Sequence, residues 1–212
     1  MHYTSRYQSP LGEILLAADN IGLTGLWFYG QKYFALHLDE SHEEKTCPVL
    51  GQAKIWLDLY FSGQKPDFSV PLHLRGTEFQ KEVWEILCDI PYGTTVTYGK
   101  IAAVLAQKRG LEHMSAQAVG NAVAHNPVSV IVPCHRVLGS KGSLTGYAGG
   151  LERKIKLLEL EKVPDTEGLF LYLITFSFHL LRTFFQIFLP EQRLPAFFST
   201  SPEKAFPLKY IL

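Results

Sequence analysis

The sequence predicts an α/β fold class, with a sheet-containing N-terminal part followed by a mostly helical part that carries a helix-turn-helix (winged-helix-like) element. Residues 12–28 predict two short strands around a turn at residues 19–22, because apolar and aromatic residues typical of sheet flank that turn. From residue 77 onwards, apolar residues recur at helical spacing in three segments separated by glycine or proline. The last two segments are short and joined by a tight polar link, which is typical of a helix-turn-helix.

The first helix is predicted over residues 49–63. Ile55 and Leu59 repeat one turn apart, and the pattern stops at a glycine. Residues 64–74 contain two prolines and predict an extended linker, so we place a domain boundary there. The predicted parts are an N-terminal α/β domain (1–72), a helical domain (73–163) and an atypical apolar and proline-rich tail (164–212).

Three further helices are predicted over residues 77–90, 97–110 and 114–127. Thr77 is a suitable N-cap for the first of them, and Ser115 for the third. The third helix is built almost wholly from alanine, glycine, valine and asparagine. This composition fits close helix packing, and it also fits a thin helix that enters a nucleic-acid groove.

Composition excludes some classes of protein. The 212 residues carry no net charge, and the opening residues lack the basic start and apolar stretch of a signal peptide. Three cysteines at irregular spacing argue against a disulfide framework and a four-ligand zinc site, and they fit a reducing cytoplasm. The first part holds 5 Lys and Arg against 8 Asp and Glu, whereas residues 73–163 hold 11 against 8. A mildly basic helical part permits contact with nucleic acid.

The segment "NPVSVIVPCHRV" ends an apolar run with a proline, a cysteine and a histidine. Cys134 becomes a nucleophile only as the thiolate, and a backbone turn after the proline would bring His135 within reach as its base. Glu159 and Glu161, on the last predicted helix, are candidates to orient the imidazole. An isolated cysteine is more often a buried structural thiol. If this one is reactive, spacing alone leaves hydrolysis, acyl transfer and alkyl transfer open.

The cysteine segment resembles the active-site signature of the methylated-DNA–protein-cysteine methyltransferases, the O6-alkylguanine-DNA alkyltransferases. The resemblance is dense over residues 75–161 and looser in the first part. It implies a ribonuclease-H-like N-terminal domain and a DNA-binding helical domain. The matching stretches are "RGTEFQKEVWEIL", "IPYGTTVTYGKIA", "AVGNAVAHNP", "IVPCHRV", "GSLTGYAGG" and "KIKLLELE", with "SPLGEILLAAD" and "GLTGLWF" in the first part.

The resemblance implies DNA repair by stoichiometric, irreversible transfer of the alkyl group of O6-alkylguanine, and of O4-alkylthymine, to Cys134. In the family, the target base is flipped out of the duplex, because its alkyl carbon is inaccessible in the stack. His135 is then linked to the sulfur through a water and oriented by Glu161. Tyr98 matches the tyrosine that helps rotate the nucleotide and donates a proton to the departing guanine. Asn126 matches the asparagine that ties the recognition helix to the active-site strand.

The same resemblance implies two further sets of residues. The expected DNA contacts are Tyr98, Ala116, Gln117, Arg136 and Ser140. The expected walls of the alkyl pocket are Pro133, Tyr147 and Ala148. Gln117 departs from the family, since many members carry at this position an arginine that fills the gap left by the flipped base.

No cofactor or metal is expected, because the cysteine is both catalyst and final acceptor. The expected partner is double-stranded DNA with alkylated bases, bound by a cytoplasmic monomer without a stable protein partner. Two alternatives belong to other classes: a cysteine hydrolase that turns over, and a non-catalytic module that binds DNA lesions. The presence of Cys134 argues against relatives that bind lesions without repairing them.

The tail contains an apolar stretch at residues 169–189 that is about long enough to cross a bilayer. Arg182 near its centre would cost about 2.5–3.5 kcal/mol on insertion. Membrane contact through this stretch is therefore not favoured over packing on the domain or over a segment not selected for folding.

Overall fold

The computed structural model describes residues 2–164, which contain a four-stranded sheet, a two-stranded sheet and five α-helices. The strands are β1 (His2–Ser9), β2 (Gly12–Ala18), β3 (Leu23–Phe28), β4 (His42–Glu44), β5 (Val96–Thr97) and β6 (Val137–Leu138). The helices are α1 (Pro48–Phe61), α2 (Glu78–Cys88), α3 (Tyr98–Lys108), α4 (Ala116–Ala124) and α5 (Leu151–Leu160).

The large sheet has the order β3-β2-β1-β4, with antiparallel pairs except for the parallel pair β1–β4. The predicted strand pair is confirmed as β2 and β3. Asp19 forms their turn, because its carboxylate accepts the backbone N–H groups of Ile21 and Gly22 at 2.9 and 3.1 Å. Strands β1 and β4 are polar in sequence and were not predicted; their pairing with the apolar strands makes them part of the sheet.

Helix α1 packs on the large sheet with Leu50, Ala53, Trp56, Leu57 and Tyr60 buried. It begins at a proline in the first turn, where the missing N–H costs no hydrogen bond, and it ends before Gly63 as predicted. The linker after it is not free. Pro71 O accepts the N–H of Leu23, and Leu23 O accepts the N–H of His73, so the linker runs along the start of β3.

The helices of the second part follow their local capping signals. Thr77 and Gln80 form a reciprocal capping box at the start of α2, and the Ser115 hydroxyl accepts the N–H of Ala118 at the start of α4. Trp84 of α2 donates its indole N–H to Ala122 O at 2.9 Å, which joins α2 to the C-terminal turn of α4. The predicted helix caps are confirmed.

The segment between α4 and the cysteine does not form the active-site strand that the family resemblance implies. It forms turns, with Val130 at a φ of 68°, and leads into a 3₁₀ helix at Cys134–Arg136. Its backbone pairs instead with the edge of β3: Leu26 N–H donates to Pro127 O, and Ser129 N–H donates to Leu26 O. The sheet therefore supports the cysteine segment directly.

One hydrophobic cluster runs through both the sheet and the helices, from Ile14 and Leu26 to Trp84, Val123 and Val132. The boundary near residue 72 stays a prediction. Within residues 2–164, no helix is long and apolar enough to cross a membrane. The tail, including residues 169–189, lies outside the described residues.

Candidate active site

Cys134 opens the 3₁₀ helix and is 4% exposed. The Asn126 amide donates to its sulfur at 3.1 Å and also to Val132 O at 2.9 Å, while the amide oxygen accepts the N–H of Val128 at 3.0 Å. Asn126 therefore connects the end of the α4 segment to the cysteine turn. Burial raises the pKa of the Cys134 thiol, whereas the hydrogen bond from Asn126 and the charge of Lys154 oppose that rise.

His135 is fully buried beside the cysteine, and its Nε2 lies 2.7 Å from Glu161 Oε1. Burial lowers the pKa of His135, against the opposing effect of Glu161, so the neutral imidazole is favoured. Because the carboxylate can only accept, Nε2 carries the proton and Nδ1 keeps its lone pair. Nδ1 is buried and has no partner among the described residues. A nitrogen in this state can accept a proton from the thiol, directly or through a water.

The Glu161 carboxylate is held by four residues. Arg136 donates through Nε to Oε2 at 2.8 Å and through Nη2 to Oε1 at 2.9 Å. The Tyr60 hydroxyl donates to Oε1 at 2.7 Å, and the N–H of Gly93 donates to Oε2 at 3.1 Å. Burial alone would raise the pKa of Glu161, but the hydrogen bonds from His135 and Arg136 outweigh it and hold that pKa well below its usual range. Glu161 is therefore a fixed anion.

Glu159, the other candidate for orienting the imidazole, is exposed on α5. Two residues along a helix point to different faces, so only Glu161 reaches His135. Between the two alternatives from the sequence, the geometry supports Glu161.

Arg136 does not take the position expected of a DNA contact. Its side chain is 9% exposed, and its Nη1 donates to Ile90 O at 2.6 Å while the rest of the guanidinium pairs with Glu161. The 3₁₀ turn directs this residue inward, where its charge neutralises the buried carboxylate. The prediction of a DNA contact by Arg136 is not supported by this placement.

The other expected DNA contacts lie at or near the surface. Tyr98 is the first residue of α3, and its hydroxyl lies 3.3 Å from both Thr145 O and Gly146 O, to which it donates. Burial raises the pKa of the Tyr98 phenol, which keeps it protonated and able to donate. Ala116, Gln117 and Ser140 are exposed. An open hollow is lined by Tyr98, Ser115, Gln117, Ala118, Gly120, Asn121, Thr145 and Gly146.

The expected pocket walls are only partly brought to the cysteine. Pro133 is buried and directly precedes it. Burial raises the pKa of the Tyr147 phenol well above its ordinary value, and the charge of Cys134 raises it further. Ala148 is half-buried, and its carbonyl accepts the N–H of Lys32 at 3.0 Å. The role of Ala148 as a pocket wall stays a prediction.

Two site residues were missed in the sequence. Tyr60 lies one helical turn after Trp56 in the predicted first helix, so its place in the sequence indicates only an apolar helix face. Lys154 is buried beneath the cysteine turn. It shares one helical face with Leu157, Leu158 and Glu161, so a lysine within an apolar stripe was a usable signal. Within residues 2–164, no group of three or more His, Cys, Asp or Glu side chains is arranged to hold a metal ion.

Comparison with known proteins gives two family matches that together span most of residues 1–163. Residues 1–74 match the ribonuclease-like domain of 6-O-methylguanine DNA methyltransferase, and residues 78–163 match its DNA-binding domain. The fold class and its ribonuclease-like N-terminal part are thereby confirmed.

Individual relatives agree with these matches. A methylated-DNA–protein-cysteine methyltransferase of Mycobacterium tuberculosis is 43% identical over 162 residues, which are 76% of this chain and 93% of the relative. One from Methanosarcina barkeri is 44% identical over 161 residues, covering 76% and 97%. The crystal structure of Mycobacterium tuberculosis OGT in complex with DNA superposes with a TM-score of 0.66 at 42% identity, covering 79% of this chain and 99% of that one. The chain belongs to the methylated-DNA–protein-cysteine methyltransferase family.

Proposed function

We propose that this protein repairs alkylated double-stranded DNA by transferring the alkyl group of O6-alkylguanine, and of O4-alkylthymine, to Cys134. The transfer is irreversible and stoichiometric, one alkyl group per protein molecule. The observation that carries the proposal is the arrangement around the sulfur: a buried thiol that accepts a hydrogen bond from Asn126, next to a neutral histidine held by a fixed carboxylate.

The reaction balances without a cofactor. The thiol proton passes to His135, whose Nδ1 is free to accept it, and the thiolate attacks the alkyl carbon. A new S–C bond forms as the C–O bond breaks, and the electron pair of that bond moves onto the departing base. Tyr98, held protonated by its raised pKa, supplies a proton to that base. The product is a thioether, which is not a leaving group under these conditions.

The DNA face is proposed to be the hollow beside α4. Gln117 is exposed in the first turn of this helix, and Tyr98 lies at the edge of the same hollow. A base flipped out of the duplex passes from this hollow towards the sulfur. In the described structure, Tyr98 donates to two loop carbonyls, so its hydroxyl must leave them before it can serve the base.

The proposal is tested with duplex DNA that carries a labelled methyl group on guanine O6. We expect the label on the protein, at most one methyl per molecule, and mass spectrometry should locate it on Cys134. Cys134→Ala should abolish transfer and leave DNA binding largely intact. Cys47→Ala and Cys88→Ala are the matched controls and should react as the unmodified protein does.

The other outcomes identify the rival functions. Label in a small product, with several turnovers per molecule, would indicate a cysteine hydrolase. Retention of the labelled DNA without transfer would indicate a lesion-binding module. Methyl on Cys47 or Cys88 would contradict the assignment of the acceptor.

A further inference from the structure

Lys154 is a buried cation without an acidic partner. Its side chain is fully buried, and none of the ion pairs among the described residues includes it. Moving an ammonium group from water into a protein interior costs several kcal/mol unless an opposite charge compensates. By contrast, the other buried cation of the site, Arg136, pairs with Glu161.

The hydrogen bonds of Lys154 are satisfied even though its charge is not. Nζ donates to Val137 O, to Thr145 O at 2.9 Å and to Gly146 O at 3.4 Å, which uses its three N–H groups. Carbonyl oxygens stabilise an ammonium only through their dipoles. What the Lys154 ammonium lacks is therefore a neighbouring negative charge and not a hydrogen-bond acceptor.

While Lys154 is protonated and the thiol is not ionised, the site carries a net positive charge. With His135 neutral, the positive Arg136 and the negative Glu161 cancel, which leaves the charge of Lys154. Burial lowers the pKa of Lys154 to about 8, and among the described residues it is the charge of the Cys134 thiolate that favours the ammonium form. The relation is mutual, because the charge of Lys154 stabilises the thiolate.

The carbonyls that Lys154 binds belong to the segments that form the site. Val137 follows the 3₁₀ turn that begins at Cys134, and Thr145 and Gly146 lie in the loop that faces Tyr98. These last two carbonyls accept from both Lys154 and Tyr98. One side chain thus joins the cysteine turn to the loop on which the tyrosine rests.

We propose that Lys154 is the counter-ion of the Cys134 thiolate and the residue that positions the 145–146 loop against the nucleophile. The inference rests on the proposed function, since it explains why a buried charge is kept beneath an acceptor cysteine. The charge of Cys134 also acts on Tyr98 and Tyr147, and His135 is its neighbour in the chain, but burial keeps the two phenols protonated and the imidazole neutral. Lys154 is therefore positive before the thiol ionises, whereas His135 becomes positive only when it takes the thiol proton.

The test uses Lys154→Gln, which keeps a hydrogen-bond donor and removes the charge, in a Cys47→Ser, Cys88→Ser background so that one thiol titrates. The ultraviolet absorbance of the thiolate is followed against pH without DNA. We expect the thiol to ionise at higher pH, with about tenfold less thiolate at neutral pH for each unit of that shift. The pH–rate profile of methyl transfer should move to higher pH by the same amount, and the rate should recover at alkaline pH. Lys154→Arg should restore part of the effect, because it keeps the charge.

Lys156→Gln is the control, because Lys156 is exposed on the same helix and pairs with Glu152. It should leave both profiles unchanged. If Lys154→Gln slows transfer equally at every pH and does not move the thiol titration, Lys154 has a structural role only and the proposal is wrong. If Lys154→Gln is too unstable to titrate, Lys154→Arg is titrated in its place. The thiol of Lys154→Arg should ionise near the same pH as the thiol of the unmodified protein. A rise of the thiol pKa as large as that expected for loss of the charge would overturn the proposal. Because the titration needs no substrate, its result is independent of whether the unmodified protein transfers methyl groups at all.

Discussion

The sheet region (residues 2–74) and the helical region (residues 78–163) bury polar groups in different ways. In the sheet region the buried polar residues are His2, Thr4, Ser5, Ser9, Asp19, Thr24 and Gln31. In the helical region they are Asn126, Ser129, His135, Arg136, Lys154 and Glu161. Asp19 is the only carboxylate or permanent cation of the first set. It accepts backbone N–H groups two and three residues away, and its other oxygen lies 2.6 Å from His73 Nδ1 and 3.5 Å from Arg75 Nη2. The second set holds three charged residues, Arg136, Lys154 and Glu161.

This difference separates a scaffold from a chemical site. Asp19 joins the turn between β2 and β3 to the linker through His73 and Arg75, whereas Glu161 draws donors from α1, from the loop at Gly93 and from the cysteine turn. Replacing such an ionic network with apolar residues is often neutral or stabilising, so stability alone does not explain its presence. The helical region keeps these charges around Cys134, and the sheet region supplies burial and one hydroxyl, that of Tyr60.

The largest effect is expected for Glu161→Gln. The change leaves Arg136 buried without its carboxylate, and loss of one partner from a buried ion pair costs about 3–5 kcal/mol of unfolding free energy. Transfer should slow by about 100-fold or more, because the imidazole loses its orienter. Denaturant unfolding and single-turnover transfer measure the two effects. Glu159→Gln, on the exposed face of α5, should stay within about 0.5 kcal/mol of the unmodified protein.

Acidification should act through the same carboxylate. The pKa of Glu161 is lower in the folded state than its ordinary value of 4.5, so its contribution to stability is fully present above that pH and is lost as the pH falls below it. Glu161→Gln should therefore show a flatter loss of stability below about pH 4.5 than the unmodified protein. The same acid dependence in both proteins would mean that other groups govern it.

His135 and Glu161 should also act as one unit. His135→Ala and Glu161→Ala should each slow transfer, and the double variant should be little slower than the worse single one. Additive effects in this double-mutant cycle would mean that the imidazole works without the carboxylate.

The next effect, in the sheet region, should be confined to stability. Leu16 in β2 is fully buried, and Leu16→Ala should cost about 2–5 kcal/mol through lost contacts and a cavity. The rate of transfer per folded molecule should stay the same, because the charges around the sulfur are untouched. The transfer rate should be measured under conditions far from the unfolding transition, where almost all molecules are folded. If the rate then falls together with the free energy of unfolding, the separation of scaffold and site is contradicted.

The parts of this arrangement that the sequence predicted are those with local causes. The Thr77 and Ser115 caps, the turn at Asp19 and the helical spacing in α1 each depend on residues within a few positions. The fold class also followed from the family motifs, whose residues stand in order. Strands β1 and β4 escaped prediction because their partners, and not their own polar residues, make them strands.

Only those site residues that lie within a sequence motif of the family could be predicted. Cys134, His135 and Asn126 lie in one continuous stretch, but Tyr60 reaches Glu161 across 101 positions. The DNA contact that the resemblance implies for Arg136 stays a prediction, although the 3₁₀ turn directs its side chain inward. Glu161, 25 positions away, accepts the hydrogen bonds of the guanidinium. Contacts of this range depend on the tertiary fold.

A smaller effect is expected where the two regions meet. Tyr60→Phe removes a hydroxyl that donates to a charged carboxylate, and such a bond contributes about 1.5–3 kcal/mol. Tyr92→Phe is the control, because its hydroxyl donates to the neutral Leu160 O at 3.2 Å and should cost about 0.5–1.5 kcal/mol. Transfer should slow only in Tyr60→Phe. Equal effects of the two changes on stability and rate would mean that the sheet region makes no direct contribution to the site.

The smallest effect on the folded protein, and the sharpest on DNA, is expected for Gln117→Arg. Gln117 is exposed in the first turn of α4, where family members often carry an arginine, so the change should leave stability within about 0.5 kcal/mol. An arginine can fill the stack vacated by a flipped base and contact phosphate. Duplex binding should tighten, and the slope of log K against log salt should steepen by about 0.9 for one new phosphate contact.

The comparison of substrates decides what the new side chain does. A single strand has no stack to fill and no partner base, so filling the vacated position should speed repair of duplex more than of single strands. Gln107→Arg is the control, because it adds the same charge near the C-terminal end of α3, beside the ion pairs of Lys108 and Arg109 with α2. It should not favour repair of duplex over repair of single strands. If Gln117→Arg weakens duplex repair, or changes both substrates alike, then α4 does not enter the groove with its first turn. The hollow at Tyr98 would then be reached from another direction, and the division into scaffold and site would hold without this docking geometry.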